Sequence, residues 1–153
     1  MIKKTGILIL ILVMSSIMTG CKSKEESEVL DLTEMNGDTL YAQVYNMVTK
    51  PEEYKGKIVK IKGEFSAYND KELGKLRTGV VIKDALACCK EGIEFEPKKK
   101  CKYPDDYPKE GEDVIVTGRF DAYKHKKSDP YLYYVLREAK FEKVKENEKN
   151  NNR

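Results

Sequence analysis

Cys88 and Cys89 stand side by side in the segment Asp84-Ala-Leu-Ala-Cys-Cys-Lys-Glu-Gly92, and Cys101 follows further on. Two thiolates, a third from Cys101 and a carboxylate from Glu91 or Glu94 make a donor set suited to Zn²⁺ or Cu⁺, because soft sulfur ligands select thiophilic cations. Metal-binding cysteine pairs usually leave two to four residues between them, which turns both sulfurs toward one point. Neighbouring residues of an extended chain point to opposite faces. Cys88 and Cys89 can therefore share an ion only if the backbone turns between them. Structural thiols or a disulfide, and thiol redox exchange, fit the same residues. A Cys88–Cys89 bond would strain the peptide between them, and a bond from either to Cys101 requires lysines 98–100 to fold the chain back.

A second group could bind rather than react. Tyr131, Tyr133 and Tyr134, with Arg119 and Arg137, read as a sheet face on which sugar or base rings could stack. Tyr133, Tyr134, Arg119 and Glu94 are its candidate ligand contacts. Tyrosines also line strands simply because aromatic rings fit a pleated, half-buried surface. The single histidine, His125, sits among lysines 124, 126 and 127 and reads as a solvated residue of a hairpin loop. One histidine excludes HExxH metalloproteases and two-histidine zinc fingers. No nucleophile–base pair, phosphate-cradling glycine loop or carboxylate pair with an assignable role is present, so binding is expected and catalysis is not.

The N-terminus sets the compartment. Lys3 and Lys4 precede an apolar run over residues 6–18, followed by Met18-Thr19-Gly20-Cys21. This is the order of a secretory signal peptide, and 13 residues are too few for a spanning helix, which needs roughly 20. The final four residues resemble a bacterial lipobox, in which the cysteine after the cleaved bond carries diacylglycerol. Leucine is the commoner residue where Met18 stands. The expectation is a signal peptide over 1–20 and a lipid-bearing Cys21 that anchors the protein to a membrane from outside the cytoplasm. A flexible tether is expected over 21–36, one domain over 37–144, and a disordered tail over 145–153.

Composition agrees with one soluble domain: 153 residues, 36% charged and 40% hydrophobic. The formal charge is +3, and loss of Lys3 and Lys4 leaves a single excess positive charge. That balance argues against nucleic acid as a partner.

The elements that must position these residues are mostly strands. Asp38 reads as the cap of a helix whose Leu40, Val44, Met47 and Val48 fall on one face, ending before Pro51. From Lys57 the period changes to two. Strands are expected over about 57–68, 77–84, 93–96, 114–122 and 131–136, the last extending toward Phe141. Gly56, Val59, Ile61, Gly63, Phe65, Ala67 and Tyr68 recur 55 residues later as Gly111, Val114, Val116, Gly118, Phe120, Ala122 and Tyr123. A glycine at the centre of each long strand permits a sharp coil or bulge, so that one strand can serve two parts of a barrel. The expected fold is mainly β: a five-stranded OB-like barrel preceded by one amphipathic helix. A small β-sandwich or an SH3-like barrel is the alternative.

Tyr54-Lys-Gly-Lys57, Gly63, Asp84-Ala-x-Ala-Cys88-Cys89-x-x-Gly92-Ile-Glu-Phe95, Tyr107-Pro108, Gly111 and Val116-Thr-Gly118-x-Phe120 together resemble the soluble OB-like domain of a bacterial two-component permease subunit family. The resemblance covers about residues 40–140, and the Ala-Cys-Cys…Gly-Ile-Glu-Phe segment is its most specific part. It implies the OB-like fold, the Cys88-Cys89 loop and a membrane permease as partner. Family members carry transmembrane helices before this domain, where this chain has a lipoprotein leader. The expected function is thus a lipid-anchored binding protein that takes a small ligand, foremost a thiophilic metal. A surface module for oligosaccharide, nucleic acid or a protein partner is the alternative.

Overall fold

The computed structural model describes residues 28–144; the expected signal peptide, Cys21 and the tail from residue 145 onward lie outside the described residues. The chain is mainly β, a six-stranded mixed sheet with one α-helix. The strands are β1 (Val29–Asp31), β2 (Ile58–Asp70), β3 (Lys75–Lys83), β4 (Lys90–Pro97), β5 (Asp113–Tyr123) and β6 (Tyr133–Lys143). The helix α1 (Gly37–Thr49) is followed by a single 3-10 turn, Pro51–Glu53.

Five strands match the period-two segments of the sequence. The sixth, β1, lies where a tether was expected, pairing in parallel with the start of β2. Leu32 next to it donates its N–H to Lys60 O at 2.8 Å and is fully buried. With only Leu30 and Leu32 turned inward, the segment is too short to show a period. The folded unit therefore begins before residue 37.

Asn36, not Asp38, caps α1: its side-chain oxygen accepts from Thr39 N at 3.2 Å. Asp38 instead reaches across the chain to accept from Ala85 N at 2.9 Å. Leu40, Val44, Met47 and Val48 are buried, and the helix packs on β3 and β4. The ring of Tyr54 closes this corner edge-on to Phe120, and its hydroxyl accepts from Asn46 at 2.7 Å.

The strand order is β1-β2-β3-β4-β6-β5, and β5 pairs back onto β2. All neighbours are antiparallel except β1–β2 and β4–β6. The two long, similar strands pair with each other, so Gly63 lies opposite Val114 and Gly118 opposite Val59. Residues 58–64 of β2 face β5, and residues 64–70 face β3. Gly63 marks this hand-over: a Cβ there would lie 2.6 Å from Val81 O and 2.7 Å from a Val80 methyl.

Alternation puts Val59, Ile61, Phe65, Val80, Ile82, Ile93, Val116 and Phe120 in one core. The segment 98–112 forms no helix; it delivers Tyr107, whose ring stacks 5.7 Å from Phe65 and 5.1 Å from Phe141. No helix among the described residues is long and apolar enough to cross a membrane.

Candidate functional site

The β3–β4 connection is built around Asp84. Its backbone carbonyl accepts from Ala87 N at 2.9 Å, and one carboxylate oxygen accepts from Cys88 N at 2.9 Å and from Cys89 N at 3.3 Å. Aspartate is suited to this role because its short side chain can reach the amides of the turn it starts. Ala87 closes the turn in the left-handed region, with φ of 53°. From outside, α1 holds the loop through the Asp38–Ala85 bond.

The turn overrides the expectation that neighbouring cysteines diverge. Cys88 Sγ lies 3.8 Å from Cys89 Sγ and 2.9 Å from the second Asp84 oxygen, to which the thiol donates. One ligand atom from each of Asp84, Cys88 and Cys89 lies within 4.8 Å of the others. Both cysteines are exposed and free of any disulfide.

Electrostatics follow from the hydrogen bonds. Donation by Cys88 holds the Asp84 carboxyl below the usual carboxylate range, assisted by the loop amides. The Cys88 thiol is correspondingly pushed up to about 11, by Asp84 first and then by Cys89. A thiol kept protonated this way is a weak nucleophile at neutral pH, which argues against redox chemistry at Cys88. Tyr41 of α1 borders the same loop: burial, followed by the charges of Cys89 and Glu91, raises its hydroxyl above the ordinary value.

The carboxylate of the cluster is Asp84, where Glu91 or Glu94 was expected. The Asp-x₃-Cys-Cys spacing carried the clue, since aspartate four residues before a cysteine can accept from its amide across a turn. Cys101 stands apart from this group. It follows the far end of β4, which spans roughly 23 Å. There its thiol donates to Lys99 O at 3.4 Å and packs against the aromatic core.

Glu94 belongs to a different assembly on the outer face of the sheet. Arg77, 4% exposed, donates to Glu94 Oε2 at 2.7 Å and to the Tyr123 hydroxyl. It also donates to Asp70 at 3.4 Å and meets His125 Nδ1 at 2.8 Å. Tyr123 and Tyr68 donate to the two oxygens of Glu94 at 2.6 and 2.9 Å. Both Glu94 oxygens are therefore engaged within this assembly, Oε2 by Arg77 and Tyr123 and Oε1 by Tyr68. His125, expected to be solvated, is half-buried, with its ring 3.8 Å from that of Tyr133. The loop after β5 carries it back over the face, a long-range arrangement that sequence does not signal.

The candidate ring-stacking residues separate. Tyr133 lies on the outer face near Tyr123 and His125, whereas Tyr134 turns inward and stacks 6.3 Å from Phe120. Both still border a groove of about 340 Å³, along with Tyr68, Gly79, Glu91 and Gly92. Arg119 is not part of it: its guanidinium donates to Gly56 O at 3.2 Å, beside the β2–β5 pairing. Tyr131 is 70% exposed, and Arg137 is bound to Asp121 and Glu96.

Fold and loop together describe a mainly β protein with a cysteine-carboxylate cluster on a surface turn. No family model, curated protein or solved structure matches the chain.

Proposed function

We propose that this protein is a lipid-anchored, extracytoplasmic binding protein with an OB-like barrel, whose Cys88-Cys89 loop takes a thiophilic cation, Zn²⁺ or Cu⁺. One observation carries the metal reading. Two thiolates about 2.3 Å from a tetrahedral ion stand roughly 3.8 Å apart, and the two sulfurs are 3.8 Å apart. Asp84 supplies a third donor, and the exposed loop leaves further positions open to solvent or an incoming ligand.

The barrel reading is supported by the five-strand circuit β2-β3-β4-β6-β5 with its β2–β5 closure, and by the mid-strand glycine of β2. Anchoring is supported by the leader and Met18-Thr19-Gly20-Cys21 alone. The resemblance to the permease subunit family supports a membrane permease as partner.

The test is elemental analysis of the full chain, purified under reductant, exposed to micromolar Zn²⁺ or Cu⁺ and dialysed. One bound ion per chain is expected, lost in Cys88→Ser and in Cys89→Ser and retained in Cys101→Ser. A metal-free protein, or a Cys88→Ser/Cys89→Ser variant that keeps its ion, overturns the reading. For the anchor, Cys21→Ser should move the protein from the membrane fraction to the soluble one.

A further inference from the structure

Resting on the metal reading above, we propose that two copies of this chain pair through α1 and the Cys88-Cys89 loop and share one Zn²⁺, each copy giving both of its adjacent sulfurs.

One chain fills only half of a sulfur tetrahedron. The 3.8 Å between Cys88 Sγ and Cys89 Sγ is the length of one edge of such a tetrahedron around zinc. Structural zinc sites are closed by four protein ligands, drawn mostly from cysteine and histidine. Among the described residues neither type is at hand to finish this one. Cys101 bonds to Lys99 O beyond the far end of β4, and His125 lies against Arg77. Asp84 is the carboxylate grouped with the sulfurs, and its first oxygen is already held by the amides of Cys88 and Cys89. Both cysteines are exposed, so the opposite edge of the tetrahedron is open to solvent. The same pair on a second copy completes it.

The surface beside the sulfurs suits a self-contact. A two-fold contact sets one patch against its own copy, so a charge near the axis meets its like. From Thr39 to Thr49, α1 carries no charged residue, in a chain that is 36% charged. Its one charged side chain, Asp38, is turned to Ala85 N. Asp38, Tyr41 and Tyr45 follow one another at helical spacing on a single face, and that face runs along the loop. Tyr41 borders Cys89, and Tyr45 stacks 6.3 Å from Tyr41 while remaining 52% exposed. On the loop itself Leu86 is 85% exposed. Aromatic and aliphatic side chains without charge, set around an open metal edge, form the kind of rim that interfaces bury.

The experiment is native mass spectrometry of the full chain released from a maltoside detergent, reduced with a phosphine and titrated with Zn²⁺. A complex of two chains and one ion should peak at half an equivalent of Zn²⁺ per chain. In excess Zn²⁺ it should give way to single chains with one ion each, Asp84 then supplying the third donor. Co²⁺ in place of Zn²⁺ reports the sulfurs. Its sulfur-to-metal absorption per ion should be about twofold stronger at half an equivalent than in excess, four sulfurs against two. Tyr45→Lys and Leu86→Lys each put a charge into the contact and should weaken pairing at least about tenfold, with one ion per chain kept in excess. A single chain that holds its ion at half an equivalent overturns the proposal and leaves the metal reading intact. Pairing that persists in Cys88→Ser/Cys89→Ser, or that both lysine variants leave unchanged, overturns it too. A chain that takes up no Zn²⁺ overturns it as well, and the metal reading falls with it if Cu⁺ is also refused.

Discussion

Arg77 is a charged side chain that folding has removed from water, and every polar atom around it is arranged to compensate. Glu94, Asp70, Tyr123 and His125 all contact its guanidinium, and Val135 beneath this face is fully buried although it lies outside the main core. Removing one member of a buried ion pair strands the other, which costs about 3–5 kcal/mol. Arg77→Met should lower stability by that order in urea unfolding, and adding Glu94→Gln should restore part of the loss. If the double variant is no better than the single, the cost lies in packing and not in the stranded carboxylate. The tyrosines report on the same network. Burial and then the bond to Glu94 push the Tyr68 hydroxyl up to about 12, and Tyr123 is raised by the same causes. Because the folded value lies above the ordinary one, this contribution is complete below about pH 10 and is lost as pH rises through the folded value. In a spectrophotometric alkaline titration Tyr68 and Tyr123 should ionise in a late phase, and Tyr68→Phe should remove part of it.

At the scale of elements, the closing of the sheet depends on β2, which changes partners midway. Gly63 allows it in β2, where any side chain would run into Val81 O and Val80. Gly118 in β5 marks a shift of register against β6, between Thr117 and Arg119, where a Cβ would sit 2.9 Å from Leu136 Cβ. Gly63→Ala forces backbone apart in a packed sheet and should cost about 1–3 kcal/mol in chemical denaturation. An unchanged midpoint would mean that β2 can relax away from β3. The helix end is a smaller matter: Asn36→Ala removes one cap and should cost about 1 kcal/mol. The Cys loop is an element of the same kind, small but held at several points, since Asp84 ties its amides from within and Asp38 ties it to α1.

For the whole molecule, the net charge is small, and pH acts through particular carboxylates. The Arg137 guanidinium holds Asp121 below the usual range, the Leu73 amide leads the same effect at Asp70, and the Thr33 hydroxyl does so at Asp31. A depressed folded value means stability that is complete above the ordinary carboxylate range and is lost as pH falls through the folded value. The urea midpoint should therefore hold down to about pH 5 and decline progressively below it, on through the depressed folded values. Asp121→Asn should flatten that decline, and a midpoint equally acid-sensitive in the variant would remove Asp121 from the cause.

Local pattern was enough for much of this. Alternating residues revealed β2 through β6, helical spacing revealed α1, and the echo between Gly63 and Gly118 pointed to two long strands with related roles. These are properties of neighbouring residues, and burial of one face is the force that imprints them on a sequence. The Cys88-Cys89 pair was equally visible, but whether its sulfurs diverge or converge was not. That depends on a left-handed Ala87 and on Asp84 gathering two amides, both products of the completed turn. Tertiary structure alone also separated Cys101 from the pair, set Arg119 apart from Tyr133, and drew His125 down onto Arg77. Each of those outcomes joins or parts residues that are distant along the chain, and only the closing of strand on strand decides which of them meet.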